Sequence, residues 1–279
     1  MPMSLRQRLN DRVLVAPGVY DGVSARQAVR AGAEATYMTG FGVAGSLLGV
    51  PDIGIVSATE MIERARALAW ASSPVPMIAD GDNGHGGVAN VERMVRGYEQ
   101  AGAAAIQLED QVLPKRCGHM DGKEVVSLQE GVAKIRAAVG ARVSDEFLII
   151  ARTDARSVNG LDDALLRGEA YVKAGADVLF VEAPQSVDEL RQIGEHFKGV
   201  TLMANMVEDG KTPMLGAEEL YVLGYKLVIY PVSALLAAAK TCERVYQRLL
   251  KAGPDQRDQR VTFQDYNDIM GLGTYLKRD

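Results

Sequence analysis

The feature that most constrains this chain is an alternation running almost its whole length: a short apolar run, then an amphipathic helical pattern, then another run. The runs are Val13–Ala16, Ala35–Met38, Val75–Ala79, Ala105–Leu108, Phe147–Ala151, Val178–Val181, Val200–Ala204 and Lys226–Ile229. They lack strict apolar–polar alternation, as expected of parallel strands covered on both faces. Ser57-Ala-Thr-Glu60, Ser127-Leu-Gln-Glu130 and Ser186-Val-Asp-Glu189 read as capping boxes at helix starts. Gly32, Gly102, Gly140, Gly175 and Gly224 read as helix stops ahead of the next run. Eight such units in about 250 residues fit an α/β fold of the (β/α)8 TIM-barrel type. The rival is a doubly wound open sheet, but no G-x-G-x-x-G follows the first run.

Residues 1–252 are assigned to the barrel, with an eighth helix at about Ala234–Ala252. A polar stretch, Gly253–Arg260, leads to a tail over residues 253–279 whose Phe263, Tyr266, Ile269 and Met270 recur at helical spacing. That stripe must be buried against the parent barrel or against a neighbouring subunit.

Charge and composition exclude several classes. The net charge of −5 is spread along the chain, with no basic stripe for nucleic acid and no polybasic run for a membrane surface. The polar start, Met1–Arg12, is unlike a signal peptide, and no apolar run approaches the roughly 20 residues of a membrane span. Two distant cysteines, Cys117 and Cys242, argue against a disulfide framework and for a reducing, cytoplasmic setting. Cys242, on the eighth helix, is expected in the core.

Chemistry in such a barrel gathers where the strands end. Those ends read Tyr20-Asp21, Tyr37–Gly42, Asp80–His85, Gln107–Asp110, Arg152-Thr-Asp154, Glu182, Asn205–Glu208 and Tyr230–Ser233. Converging carboxylates must be paired or must hold a cation. Asp80, Asp82, Glu109 and Glu182 offer hard oxygen donors without histidine or cysteine, which favours Mg2+ or Mn2+ over Zn2+. The alternative is that these acids pair with Arg152, Lys115 or helix termini. The glycine-rich stretch Thr39–Gly45 reads as a turn whose amides could cradle an anion. Residues 111–126 form the longest strand-to-helix loop, a length typical of lids. It carries Pro114-Lys-Arg-Cys-Gly-His119, where basic neighbours are expected to ease formation of a Cys117 thiolate and suit the thiol to donate a proton to a carbanion.

With these residues in view, the chain resembles the isocitrate lyase/phosphoenolpyruvate mutase superfamily over about residues 5–250. Lys115-Arg-Cys-Gly-His119 is the motif of its lyase branch, supported by Asp80-x-Asp82, Leu108-Glu-Asp-Gln111, Ala151-Arg-Thr-Asp154 and Asn205-Met-Val-Glu-x-Gly-x-Thr-Pro213. The resemblance implies a TIM barrel, a homotetramer with the C-terminal helix exchanged between subunits, and Mg2+ held by Asp52, Asp80, Asp82 and Glu109. It further implies that Thr39, Gly40 and Phe41 hold a keto-acid carboxylate and that Arg152, Glu182 and Asn205 line the pocket. Cys117 would be the general acid, with Gly118 and His119 shaping the closed lid; Tyr37 is the candidate base. Methylisocitrate lyases carry His where this chain has Gln107, and Arg at the position matched here by Leu236. The resemblance therefore points to the dialkylmalate lyases, which cleave a hydroxy-diacid to a keto acid such as pyruvate and a carboxylate through an aci-carboxylate. Methylisocitrate cleavage, oxaloacetate hydrolysis or decarboxylation, and phosphonomutase chemistry are the alternatives, as is a barrel that only binds small diacids.

Overall fold

A computed structural model describes residues 3–10, 12–253 and 260–276. Its strands are β1 (Leu14–Val19), β2 (Thr36–Met38), β3 (Met77–Asp80), β4 (Ala105–Glu109), β5 (Leu148–Thr153), β6 (Val178–Val181), β7 (Leu202–Asn205) and β8 (Tyr225–Tyr230). All pair in parallel, in sequence order, and β1 closes on β8 with Leu14 opposite Leu227 and Pro17 opposite Tyr230. The chain is thus a (β/α)8 barrel. The seam is tight: a Cβ on Gly18 would lie 2.1 Å from the Pro231 carbonyl oxygen.

Burial explains the unalternated strands. Every residue of β2 to β6 is buried. One face fills the barrel with Tyr37, Ile78, Ile150, Phe180, Met203 and Ile229. The other packs under the helices in two outer clusters, one around Met94, Tyr98 and Ile106, the other around Leu179, Ile193 and Val228. Leu5 and Leu9, at the short helix Leu5–Arg8, join the inner cluster.

The helix signals divide. Ser57 and Glu60 form the full capping box, with Glu60 accepting the Ser57 N–H at 2.8 Å. At Ser127 and Ser186 only the serine half forms; Glu189 turns instead to Arg156 and the Gln185 amide. Gly32, Gly102, Gly175 and Gly224 take the left-handed backbone of a helix stop. Gly140 does not: it lies inside the helix Leu128–Ala141, whose cap is the extended Arg142.

The eighth helix, Ser233–Ala252, buries none of residues 233–251 in the isolated chain. Cys242 is therefore exposed, not core, on a helix that buries none of these residues in the isolated chain. The tail forms the helices Phe263–Ile269 and Leu272–Leu276, with Phe263 82% and Tyr266 41% exposed. The middle of the expected polar stretch and the end of the tail, 254–259 and 277–279, lie outside the described residues. Among the described residues no helix is long and apolar enough to cross a membrane.

Candidate active site

β3 delivers Asp80 to the barrel mouth, and the chain then turns sharply through Asp82 (φ 48°). Asp80 organises that turn. Its Oδ1 accepts the Asp82 N–H at 3.1 Å and the Gln107 amide at 3.3 Å, while its Oδ2 accepts the Gly40 N–H at 3.1 Å. One carboxylate thus ties together the ends of β2, β3 and β4. Burial, and then the neighbouring Asp82, push its carboxyl up to about 6. Burial also raises Asp52 and raises Glu109 well above the usual range. Asp82 alone of the four goes down: burial opposes its charge, but Lys115 and His85 outweigh it.

Lys115 reaches from the lid into this cluster. Its Nζ lies 2.5 Å from Asp52 Oδ1, as a hydrogen bond, and 2.5 Å from Asp82 Oδ1, as an ion pair without hydrogen-bond alignment. The alternative pairing of acids with Lys115 and Arg152 is therefore realised in part. Among the described residues, no three His, Cys, Asp or Glu side chains are arranged as a finished metal cage. The donor set still suits a hard cation. Among the described residues Glu109 Oε1 is buried with no hydrogen-bond partner, and burial raises Asp52, Asp80 and Glu109, so their charged forms call for a cation.

Arg152 at the end of β5 is the second hub. Its Nε and one terminal nitrogen donate to Asp154 at 2.8 and 3.0 Å; the other terminal nitrogen lies 3.3 Å from both Glu109 and Glu182. Its guanidinium sits 5.4 Å from the Phe180 ring centroid. Asn205, from β7, donates to Glu182 Oε2 at 3.2 Å and keeps its own oxygen unpartnered. These groups border a cavity of about 250 Å³. Tyr37, Thr39, Phe41, Asp52, Asp80, Glu109, Cys117, Gly118, His119, Arg152, Glu182 and Asn205 all line it, whereas Gly40 and Asp82 stand just behind. The lining around the β8 end is mostly apolar, with Val207, Ile229, Pro231, Val232 and Leu236, and carries one acid, Glu208, which accepts the Ser233 hydroxyl.

The 111–126 loop lies closed over this cavity. The Cys117 N–H donates to the Asp52 carbonyl at 3.2 Å, and His119 Nδ1 accepts the Lys211 N–H at 3.1 Å. Accepting at Nδ1 leaves the ring proton on Nε2, which lies 3.4 Å from Glu182. Gly118 passes so close that a Cβ would meet Arg152 at 2.4 Å and Glu182 at 2.8 Å. Only glycine lets the lid descend this far.

Three sequence expectations need correction. The basic neighbours do not ease a Cys117 thiolate: burial raises the thiol, with only the His119 amide and Arg152 opposing it. Lys115 has turned to Asp52 and Asp82, and Arg116 to the Asp121 carbonyl at 3.0 Å. The Thr39–Gly45 stretch is not an open turn but the start of the helix Gly40–Leu48, capped by Thr39. The Gly40 and Gly42 amides are already taken, by Asp80 and Thr39. Tyr37 donates its hydroxyl to Gln107 Oε1 at 2.9 Å, and burial, then Asp80, push its phenol well above 10. It is a hydrogen-bond donor at neutral pH, which is the opposite of a base.

Sequence reasoning also passed over residues the site uses. Asp154 and Asp110 stood in the strand-end pattern without a role. Asp110 accepts the Asp154 N–H, the Thr153 hydroxyl and the Tyr171 hydroxyl, and pairs with Arg167, so it pins β4 to β5 behind Glu109 and Arg152. Lys123, in the lid, gave no signal of its own.

The comparisons with known proteins agree with this geometry. Residues 5–250 match the family model described as phosphoenolpyruvate phosphomutase. The chain is 49% identical over 263 residues to 2,3-dimethylmalate lyase of Eubacterium barkeri, covering 94% of this chain and 90% of that one. It is 44% identical over 278 residues to 2-methylisocitrate lyase of Aeropyrum pernix, covering 99% and 89%. A crystal structure of 2,3-dimethylmalate lyase, described as a PEP mutase/isocitrate lyase superfamily member, superposes with a TM-score of 0.95 at 40% identity, covering 99% and 93%.

Proposed function

We propose, from the premise that this chain belongs to the phosphoenolpyruvate phosphomutase family, that it is an oxo-acid lyase acting on a dialkyl-substituted malate. It splits the C2–C3 bond of a 2,3-dimethylmalate-like diacid to pyruvate and propionate. The observation that carries this reading is the composition of the cavity wall. Lys115, Arg116 and Arg152 line it from the lid and β5, and Val207, Ile229, Pro231, Val232 and Leu236 line it around the β8 end together with the acid Glu208. A third carboxylate, as in a methylisocitrate, would meet apolar side chains and a carboxylate there rather than a cation, whereas alkyl groups fit.

Asp52, Asp80, Asp82 and Glu109 would hold Mg2+, or Mn2+, directly or through water. Such an ion supplies Lewis-acid polarisation of the substrate's 2-hydroxyl and adjacent carboxylate. The chain's own residues do the rest. Arg152 orients a substrate carboxylate and opposes the charge that grows on the departing fragment. The hydroxyl proton passes to Glu182, a carboxylate lining the cavity, the C2 carbonyl forms, and the electron pair of the broken bond passes to C3 as an aci-carboxylate. Cys117, holding its proton because it is buried, delivers it to that carbon; Asn205 positions the fragments as a donor, while Tyr37 fixes Gln107 and His119 shapes the closed lid. Thr39 and Phe41 border the keto-acid end, and the closed lid excludes water. The exposed apolar residues of the helix Ser233–Ala252 and of the tail support assembly of barrels (residues 1–252) through the 253–279 segment as a homotetramer, in the cytoplasm.

A panel of C2- and C3-substituted malates, with coupled detection of pyruvate and repeated with EDTA, tests the reading. Pyruvate release from 2,3-dimethylmalate in preference to 2-methylisocitrate, abolished by EDTA and restored by Mg2+, is the expected outcome. Preference for the tricarboxylate, or oxalate from oxaloacetate as the sole activity, would overturn it.

A further inference from the structure

Lys123 is a buried lysine in the lid, and among the described residues its ammonium donates to two groups. It donates to the Gly118 carbonyl within the lid and to Asp154 Oδ1 of β5's end at 2.7 Å. Asp154 is wholly buried, and the same Oδ1 also accepts one terminal nitrogen of Arg152 at 3.0 Å. Asp154 is fixed from behind, since its own N–H donates to Asp110 at 2.9 Å. One oxygen on a rigid mount is thus shared between a cation of the lid and the guanidinium that borders the cavity. Meanwhile the Gly118 carbonyl, which Lys123 holds, belongs to a residue packed so near Arg152 that a Cβ there would clash with the guanidinium.

We propose that Lys123 is a positioning residue that latches the lid and sets the orientation of Arg152 through Asp154. Under the closed lid Asp154 grips the guanidinium with both oxygens but shares Oδ1 with Lys123, and the one remaining terminal nitrogen of Arg152 faces Glu109 and Glu182 at the cavity. When the lid lifts, Lys123 leaves with it, Oδ1 is left to Arg152 alone, and the guanidinium is drawn back toward Asp154. The substrate-clamping cation is thereby completed only under a closed lid. By reciprocity, whatever holds Arg152 in that orientation also favours closure. The proposal rests on reading residues 111–126 as a lid over a lyase site.

The test reads Cys117 directly. Iodoacetamide alkylation of Cys117, resolved from Cys242 by peptide mass spectrometry, is timed in the wild type, Lys123→Met, Arg152→Lys and the double variant, each checked for an unchanged thermal melt. Each single variant is expected to speed Cys117 alkylation at least roughly tenfold: Lys123→Met takes the lid's cation from Asp154, and Arg152→Lys keeps its charge but loses the two-nitrogen contact with that carboxylate. The double variant is expected to match the faster single within about twofold, because both changes break one linkage. Loss of a cation would by itself slow thiolate formation, so faster alkylation reports opening. An unchanged rate in Lys123→Met overturns the latch, and multiplying effects in the double variant overturn the coupling to Arg152. Should a variant fail to fold, Lys123→Gln replaces it in the same cycle. As a second readout, Lys123→Met is expected to lower kcat/KM for 2,3-dimethylmalate mainly through KM. If the wild type turns over no substituted malate, the functional reading fails while the alkylation cycle still decides the latch.

Discussion

Cys117 carries its proton at neutral pH, since burial lifts its thiol above 9 and the nearest cations are engaged elsewhere. A thiol suits a donor that must arrive loaded at a carbanion. Cys117→Ser is therefore expected to bind substrate normally and to lose roughly 10²–10⁴-fold in kcat, the usual weight of general acid catalysis. Comparison of kcat with substrate affinity by calorimetry checks it; near wild-type turnover would remove the thiol from the mechanism. Leu236, 45% exposed, lines the cavity beside Val232. Leu236→Arg places a cation in the apolar wall and is expected to weaken 2,3-dimethylmalate turnover at least roughly tenfold while admitting a tricarboxylate, since a partnered carboxylate is no longer a penalty. Competition between the two substrates measures the switch.

At the scale of elements, the lid is the part whose behaviour depends on pH. His119 stays neutral under the closed lid because burial lowers its pKa; Arg152 and Lys123 act in the same direction, and Glu182 and Asp154 oppose it. In the open lid the ring regains its ordinary value near 6.5. The closed form is thus favoured above about pH 6.5 and loses stability as pH falls below it, until His119 also protonates in place. Limited proteolysis of residues 111–126 is expected to speed up between about pH 6.5 and 5, and His119→Gln is expected to flatten that dependence. Insensitive cleavage would show that His119 does not report closure. Strands and most helix starts were legible because both depend on local sequence: β6 follows from Val178–Val181 alone, and Ser57 with Glu60 makes its own cap. Gly140 misled because a glycine inside a helix looks, in sequence, like one at its end. Pairing of the strand-end acids with Lys115 was legible, whereas the partners of Lys123, Tyr37 and Asp110 were not, since each acts across a span that only barrel closure brings together. A hydroxyl 70 residues from its amide acceptor, as in Tyr37 and Gln107, leaves no local trace.

Across the whole molecule, the acids at one rim set a liability and a remedy. Asp52, Asp80 and Glu109 are all raised, by burial first in each case, so carrying these carboxylates charged is costly unless a cation joins them. A divalent ion that binds only the folded form adds about 2.7 kcal/mol at a hundredfold excess over its Kd. For a domain of this size that corresponds to a Tm increase of roughly 5–10 °C. Differential scanning calorimetry with Mg2+ and then EDTA is expected to show the rise and its reversal; an unmoved Tm would sink the metal assignment.

The seam between β1 and β8, where Gly18 presses on Pro231, has a consequence for biogenesis. The first strand off the ribosome has no permanent neighbour on one side until the last strand has been synthesised. Pairing across so long a span is entropically slow. A nascent chain stopped before Tyr230 is left as an unclosed arc with two raw hydrogen-bonding borders, the form most prone to stick to its own copies.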